Sequence, residues 1–144
     1  MTSDSNLSRF VDAQTPIMPT VLEELKHGRK QTHWMWFVFP QLSGLGRSET
    51  ARYYAIANSD EAKAYLAHDM LKSRLEECIK AVLSCGESNP VRIFGRVDAM
   101  KFQSSLTLFA LVAPENELFR ETLERFYNGK MDDETERLHG EQRK

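Results

Sequence analysis

An all-α fold in a single compact domain is predicted by three features of the sequence. Apolar residues recur three and four positions apart along most of the chain, segment after segment opens on Ser, Asn or Asp and closes on Gly, and no second apolar run offers a strand partner. About seven to nine helices and no extended sheet are expected. At 144 residues the chain is the size of one domain and large enough to bury a core without disulfide or metal. The domain should span 1–144, with a core over about 6–138 and flexible ends at 1–5 and 139–144.

The elements follow in order. Ser5 or Asn6 caps a first helix carrying Leu7, Phe10 and Val11, which ends near Gln14 because Thr15 precedes Pro16. A second helix tolerates Pro16 and Pro19 only in its first turn, presents Val21, Leu22 and Leu25, and stops at Gly28. Lys26, His27, Arg29 and Lys30 cluster at that end, where the helix dipole favours cations and where an anion-binding rim is the sharper reading.

The run Trp34-Met35-Trp36-Phe37-Val38-Phe39 is apolar at every position, so periodicity does not separate helix from strand. A strand needs a partner for its backbone groups, which favours a short buried helix opened by Thr32 and ended before Pro40. Both tryptophans of the chain lie here, and burying the run contributes on the order of 10 kcal/mol at about 1.5–3 per side chain.

After the loop Gln41–Ser48, Ser48 caps a helix with Ala51, Tyr54, Ala55 and Ile56; Asn58-Ser59-Asp60 then breaks it and caps Glu61 to His68. Leu71, Leu75, Cys78, Ile79, Val82 and Leu83 form the clearest amphipathic helix, ending near Cys85-Gly86. Asn89-Pro90 opens a short helix closed by Gly95. Asp98 caps Ala99 to Ala113, whose wide apolar face predicts central burial, and Pro114 starts a helix that stops at Asn128-Gly129. Asp133 and Glu136 stand at capping-box spacing before a last short helix with no apolar stripe.

Composition excludes several classes. The start has no basic region followed by an apolar stretch, so no secretory signal is expected, and the longest apolar run, six residues, is far short of the roughly 20 needed to span a membrane. A formal net charge of −2 supplies no global field for nucleic acid or an anionic membrane. Cys78 and Cys85 lie seven apart on one helix, roughly 10 Å from each other and too far to bridge; reduced cysteines without a leader point to the cytoplasm. His27, His33, His68 and His139 show no i, i+4 pairing and no Cys-x-x-Cys occurs, so neither metal nor cofactor is expected. Glu23-Glu24, Glu76-Glu77 and Asp132-Asp133 read as solvated helix faces.

What remains is a constellation about the aromatic run. Flat rings flanked by a few fixed polar groups suit a ligand pocket, with Trp34 and Trp36 as wall and Lys30, His33 and Gln41 as polar contacts. If the ligand reacts, His33 is the natural acid or base, since imidazole titrates near neutrality. Gly44-Leu45-Gly46-Arg47-Ser48 lets a backbone approach an anion, with Arg47 adding a bidentate grip and the Ser48 amide a helix start, although its spacing is not that of a Walker loop or a dinucleotide fingerprint. Asp98, Lys101, Ser104 and Ser105 add a polar patch; lysine followed by serine reverses the familiar Ser-x-x-Lys order, so a binding contribution is favoured over nucleophilic catalysis.

Several of these residues carry a family resemblance. Asn6-Leu-x-Arg9-Phe10 with Gln14, Gly28-x-Lys30-x-x-His33-Trp34-Met35-Trp36-Phe37-x-Phe39-Pro40-Gln41, Gly44-Leu45-Gly46-x-Ser48 and Ser104-Ser105-Leu106-Thr107-Leu108-Phe109 resemble the domain-of-unknown-function family 1810 (DUF1810) over roughly residues 6–138. The resemblance implies a small, mainly α-helical protein and supplies no reaction. Members often carry Tyr where this chain has Met18 and Pro where it has Asp69. The functional expectation is binding, with or without turnover, of a small anionic nucleotide-like ligand beside the HWMWFVFPQ segment. The alternative is a protein-interaction module using the aromatic segment as docking patch or core. A third reading, single-stranded nucleic-acid binding through Lys26, Arg29 and Lys30, is opposed by the near-neutral charge; the sequence carries no signal for oligomeric state.

Overall fold

The computed structural model describes residues 3–142. Among them are ten helices: α1 (Ser3–Gln14), α2 (Met18–Lys26), α3 (Met35–Val38), α4 (Glu49–Tyr53), α5 (Ser59–Ala67), α6 (Asp69–Ser84), α7 (Pro90–Phe94), α8 (Arg96–Val112), α9 (Glu117–Tyr127) and α10 (Asp133–Gln142). The number exceeds the expected seven to nine because α3, α4 and α7 are single-turn pieces of four or five residues. There is no sheet among the described residues. One parallel bridge joins Leu42 to Ile56, with the Ser43 amide donating to the Ile56 carbonyl at 2.7 Å and the Ile56 amide to the Gln41 carbonyl at 2.8 Å. No helix among the described residues is long and apolar enough to cross a membrane.

The axis is α8, buried from Ser104 through Ala110 on all sides, as its wide apolar face predicts. Two aromatic clusters meet it two turns apart. Phe102 packs on Phe39 at 4.8 Å and on Phe94 at 4.7 Å between ring centres, with Trp34 reaching Phe39. Phe109 packs on Tyr65 and Phe119, and Tyr65 in turn meets Phe10 edge-on at 5.2 Å. Edge-to-face and tilted pairs at these spacings add about 0.5–1.5 kcal/mol each beyond area burial. Cys78, inside α6, has its thiol pushed up to about 12 by burial and by Glu77, with Arg74 opposing. It is therefore inert.

Several local expectations are corrected. The backbone of α1 is already helical at Ser3, so neither Ser5 nor Asn6 is its cap. Thr32 does not cap α3; its hydroxyl is drawn to Glu24, and Trp34 takes the cap position without a side-chain bond. Helix α8 begins at Arg96, because Gly95 at φ +84° breaks the chain there, leaving Asp98 in the first turn. Helix α9 begins at Glu117 rather than Pro114, because Asn116 caps the Leu118 amide. Helix α10 is capped by Asp132 through the Thr135 amide and hydroxyl, and it docks: Thr135 and His139 are buried, and Thr107 of α8 accepts the Asp132 amide at 2.9 Å. Of the ends expected to be flexible, 1–5 and 139–144, residues 3–5 belong to α1 and 139–142 to α10, while 1–2 and 143–144 lie outside the described residues.

Candidate functional site

Glu24 is the first surprise of the region. It lies on the Val21/Leu25 stripe of α2 and is 8% exposed. Glu23 is solvated as expected, but Glu24 is not. Its carboxylate accepts from the Gln31 amide at 2.8 Å, the Thr32 amide at 3.2 Å, the Thr32 hydroxyl at 2.7 Å and the Trp34 indole N–H at 2.9 Å. Burial works to raise its pKa, yet the Gln31, Thr32 and Trp34 donors together outweigh burial and hold it below the ordinary carboxylate value. A buried charge satisfied by four donors fixes the 28–34 loop and locks Trp34 in the core. The loop is closed at its other side by the Lys30 amide, which donates to the Ile93 carbonyl at 2.8 Å.

Two further polar hubs tie α1 to its neighbours, one to the aromatic segment and one to the 53–61 stretch. Gln14 is buried and donates to the Phe37 carbonyl at 2.6 Å and to the Tyr65 hydroxyl at 3.1 Å. Arg9 donates to the carbonyls of Tyr53 and Ala55, both at 2.8 Å, and pairs with the buried Glu61 at 3.3 Å. Glu76 and Asp132 likewise depart from the solvated reading: Glu76 accepts from Asn116 at 3.2 Å, and Asp132 is the α10 cap.

On the outer side, the second tryptophan meets a different environment. Trp36 is half-buried, with the Lys101 ammonium 5.4 Å from its ring centre. Lys101 is held 3.8 Å from Asp98, and the same Asp98 carboxylate takes Lys30 at 3.0 Å. Lys30 in turn lies 5.1 Å from the Trp34 ring centre. Two cations thus share one carboxylate across two indoles, and the Glu24 carboxylate on the Trp34 N–H is the second anion of the group, so its charges balance. Beside it is a narrow slot lined by Trp36, Gln41, Gly46, Tyr54 and Lys101, with an enclosed volume of about 10 Å³. That is about the space a single water requires. Gly46 is obligatory here, since a Cβ would come within 2.5 Å of the Ala51 Cβ.

Of the residues singled out in the sequence, Trp36, Gln41 and Lys101 line the slot and Lys30 joins them through Asp98. Trp34 is sealed, at 2% exposed. His33 is exposed in the turn between Lys30 and Trp36, and Arg47 is exposed in the loop that carries Gly46. The Ser48 hydroxyl is engaged as the cap of α4, accepting from the Ala51 amide at 3.1 Å. Ser104 and Ser105 are buried along α8, the Ser104 hydroxyl donating to the Met100 carbonyl, and neither lines the slot. Asp98 belongs to the polar patch read from the sequence, but its bridging of Lys30 and Lys101 was not legible there; Tyr54 as a wall and Glu24 as an anchor escaped altogether. Only Glu24 left a signal, a carboxylate on the apolar stripe of α2. Among the described residues no group of three His, Cys, Asp or Glu is placed to hold a metal.

The family model described as "Protein of unknown function (DUF1810)" matches residues 4–139. Among solved structures, the chain is similar to the crystal structure of the conserved hypothetical protein Rv1873 from Mycobacterium tuberculosis. The two are 47% identical, the match covers 94% of this chain and 96% of that one, and the TM-score is 0.91. Comparison with curated proteins gives no match.

Proposed function

This chain belongs to the DUF1810 family of proteins of unknown function, and on that footing we propose that it binds a small anionic, nucleotide-like ligand at the Trp36 face. The observation that supports the reading is the Lys101 ammonium poised over a half-exposed indole, with Lys30 and Lys101 sharing the single carboxylate of Asp98. An anion arriving there meets the Lys101 ammonium, which stands 3.8 Å from Asp98, and its base or other flat group meets the Trp36 ring edge and Gln41. The slot itself admits nothing larger than water, so the ligand lies across its mouth; Arg47, next in sequence to the lining residue Gly46, and His33 are exposed. His33 is then the group to exchange a proton if the ligand is turned over. The two free thiols fit a reducing compartment, and we place the protein in the cytoplasm.

Fluorescence titration of the full chain with a panel of nucleoside mono- and diphosphates tests the proposal. A saturable change in tryptophan emission is expected, weakened at least tenfold in Kd by Lys101→Gln. A flat response across the panel overturns it. The docking-module reading is favoured by one observation, the exposure of Val97 and Met100, each at 64%, beside Lys101 on α8. Nucleic-acid binding has less support, since with Trp34 sealed only one indole is open to stacking. Salt-dependent retention on single-stranded DNA, with no nucleotide response, would favour it instead.

A further inference from the structure

We propose a second ligand site, for a small zwitterion of the amino-acid class, in the cavity between the start of α5, the end of α8 and α10. The cavity measures about 560 Å³ and is lined by Asn58, Ser59, Asp60, Lys63 and His139 on its polar side and by Leu111, Val112 and Pro114 on its apolar side. It shares no residue with the Trp36 slot. Its size falls within the roughly 300–1,000 Å³ usual for small-molecule sites, and one polar wall facing one apolar wall is the arrangement such sites use.

The ligand class follows from the charges. Asp60 and Lys63 stand three apart on α5, where side chains are neighbours and opposite charges commonly pair. Among the described residues neither takes part in an ion pair, and both line the cavity. Both are exposed to solvent, and a ligand carrying both charges a few ångströms apart engages the carboxylate and the ammonium together. The Leu111, Val112 and Pro114 side then takes the ligand's apolar substituent, with the buried His139 also in the lining. The volume leaves room for a large side chain.

Isothermal titration of the full chain with each of the common amino acids, followed by the N-acetyl and carboxamide forms of the best binder, tests this. Saturable binding is expected, strongest for amino acids with large side chains. Blocking either end of the ligand should weaken it at least tenfold, as should Asp60→Asn and Lys63→Gln, with circular dichroism unchanged. Trp36→Phe should leave it intact. Absence of heat with every amino acid at millimolar concentration overturns the proposal. So does equal binding of free and blocked forms, or binding indifferent to both substitutions.

Discussion

Trp34 and Trp36 are two residues apart in one aromatic run, yet they have opposite fates. The first is sealed in the core, its indole N–H donated to Glu24 and its ring covered by Lys30. The second is half-exposed beneath Lys101, at the rim of a slot. A one-turn helix separates their directions, and the buried carboxylate decides which of them is inside. The difference teaches that this segment is anchored on one side and available on the other, so stability and binding should come apart under mutation.

The largest effect should follow from breaking the anchor. Glu24→Ala strips partners from the Trp34 indole, the Thr32 hydroxyl and two backbone amides, and should cost about 3–4 kcal/mol by chemical denaturation. A loss within about 0.5 kcal/mol, the level of an ordinary surface change, would break the comparison. Next is Gly46→Ala, which forces a Cβ against Ala51 and should cost about 1–3 kcal/mol while closing the slot further.

Acid stability sharpens the same contrast. The Glu24 pKa is lowered in the folded state, so the unfolded chain takes up its proton first as pH falls. The stabilisation is present above the unfolded value, about 4.3, and is lost as pH drops through the lower folded one. The urea midpoint of the wild type should therefore fall more steeply below about pH 5 than that of Glu24→Gln. Parallel curves would show that Glu24 is not charged in the core. The smallest stability effect belongs to the outer side. Lys101→Gln should change stability by less than about 1 kcal/mol, because a partly exposed ion pair contributes little.

The fold was legible wherever a rule of local geometry operates. Ser48, Asn58 and Asn89 cap where their spacing places them, and Gly28, Gly95 and Asn128 end helices in the left-handed or extended conformations that such stops require. Buried polar chemistry was not legible. Glu24 sits beside Glu23 and looks like half of a solvated pair until α2 is rolled so that Val21 and Leu25 face inward. Asp98 looked like a cap, and only the approach of the 28–34 loop from another part of the chain turns it into a bridge between Lys30 and Lys101. Arg9 and Glu61 are 52 positions apart, beyond any local pattern. For the site, spacing identified Trp36, Gln41 and Lys101 as polar or flat groups near one run, but which tryptophan faces outward depends on that distant carboxylate. The docking of α10 has the same cause, because Thr135 is buried with its amide and hydroxyl on Asp132, a contact that hydrophobic periodicity does not register.

The most direct test isolates each indole. In Trp34→Phe only Trp36 reports, and in Trp36→Phe only Trp34; both are titrated with adenosine monophosphate and quenched with acrylamide. The account predicts an accessible, nucleotide-responsive Trp36 and a shielded, unresponsive Trp34. Equal accessibility of the two, or a nucleotide response carried by Trp34 alone, would contradict it.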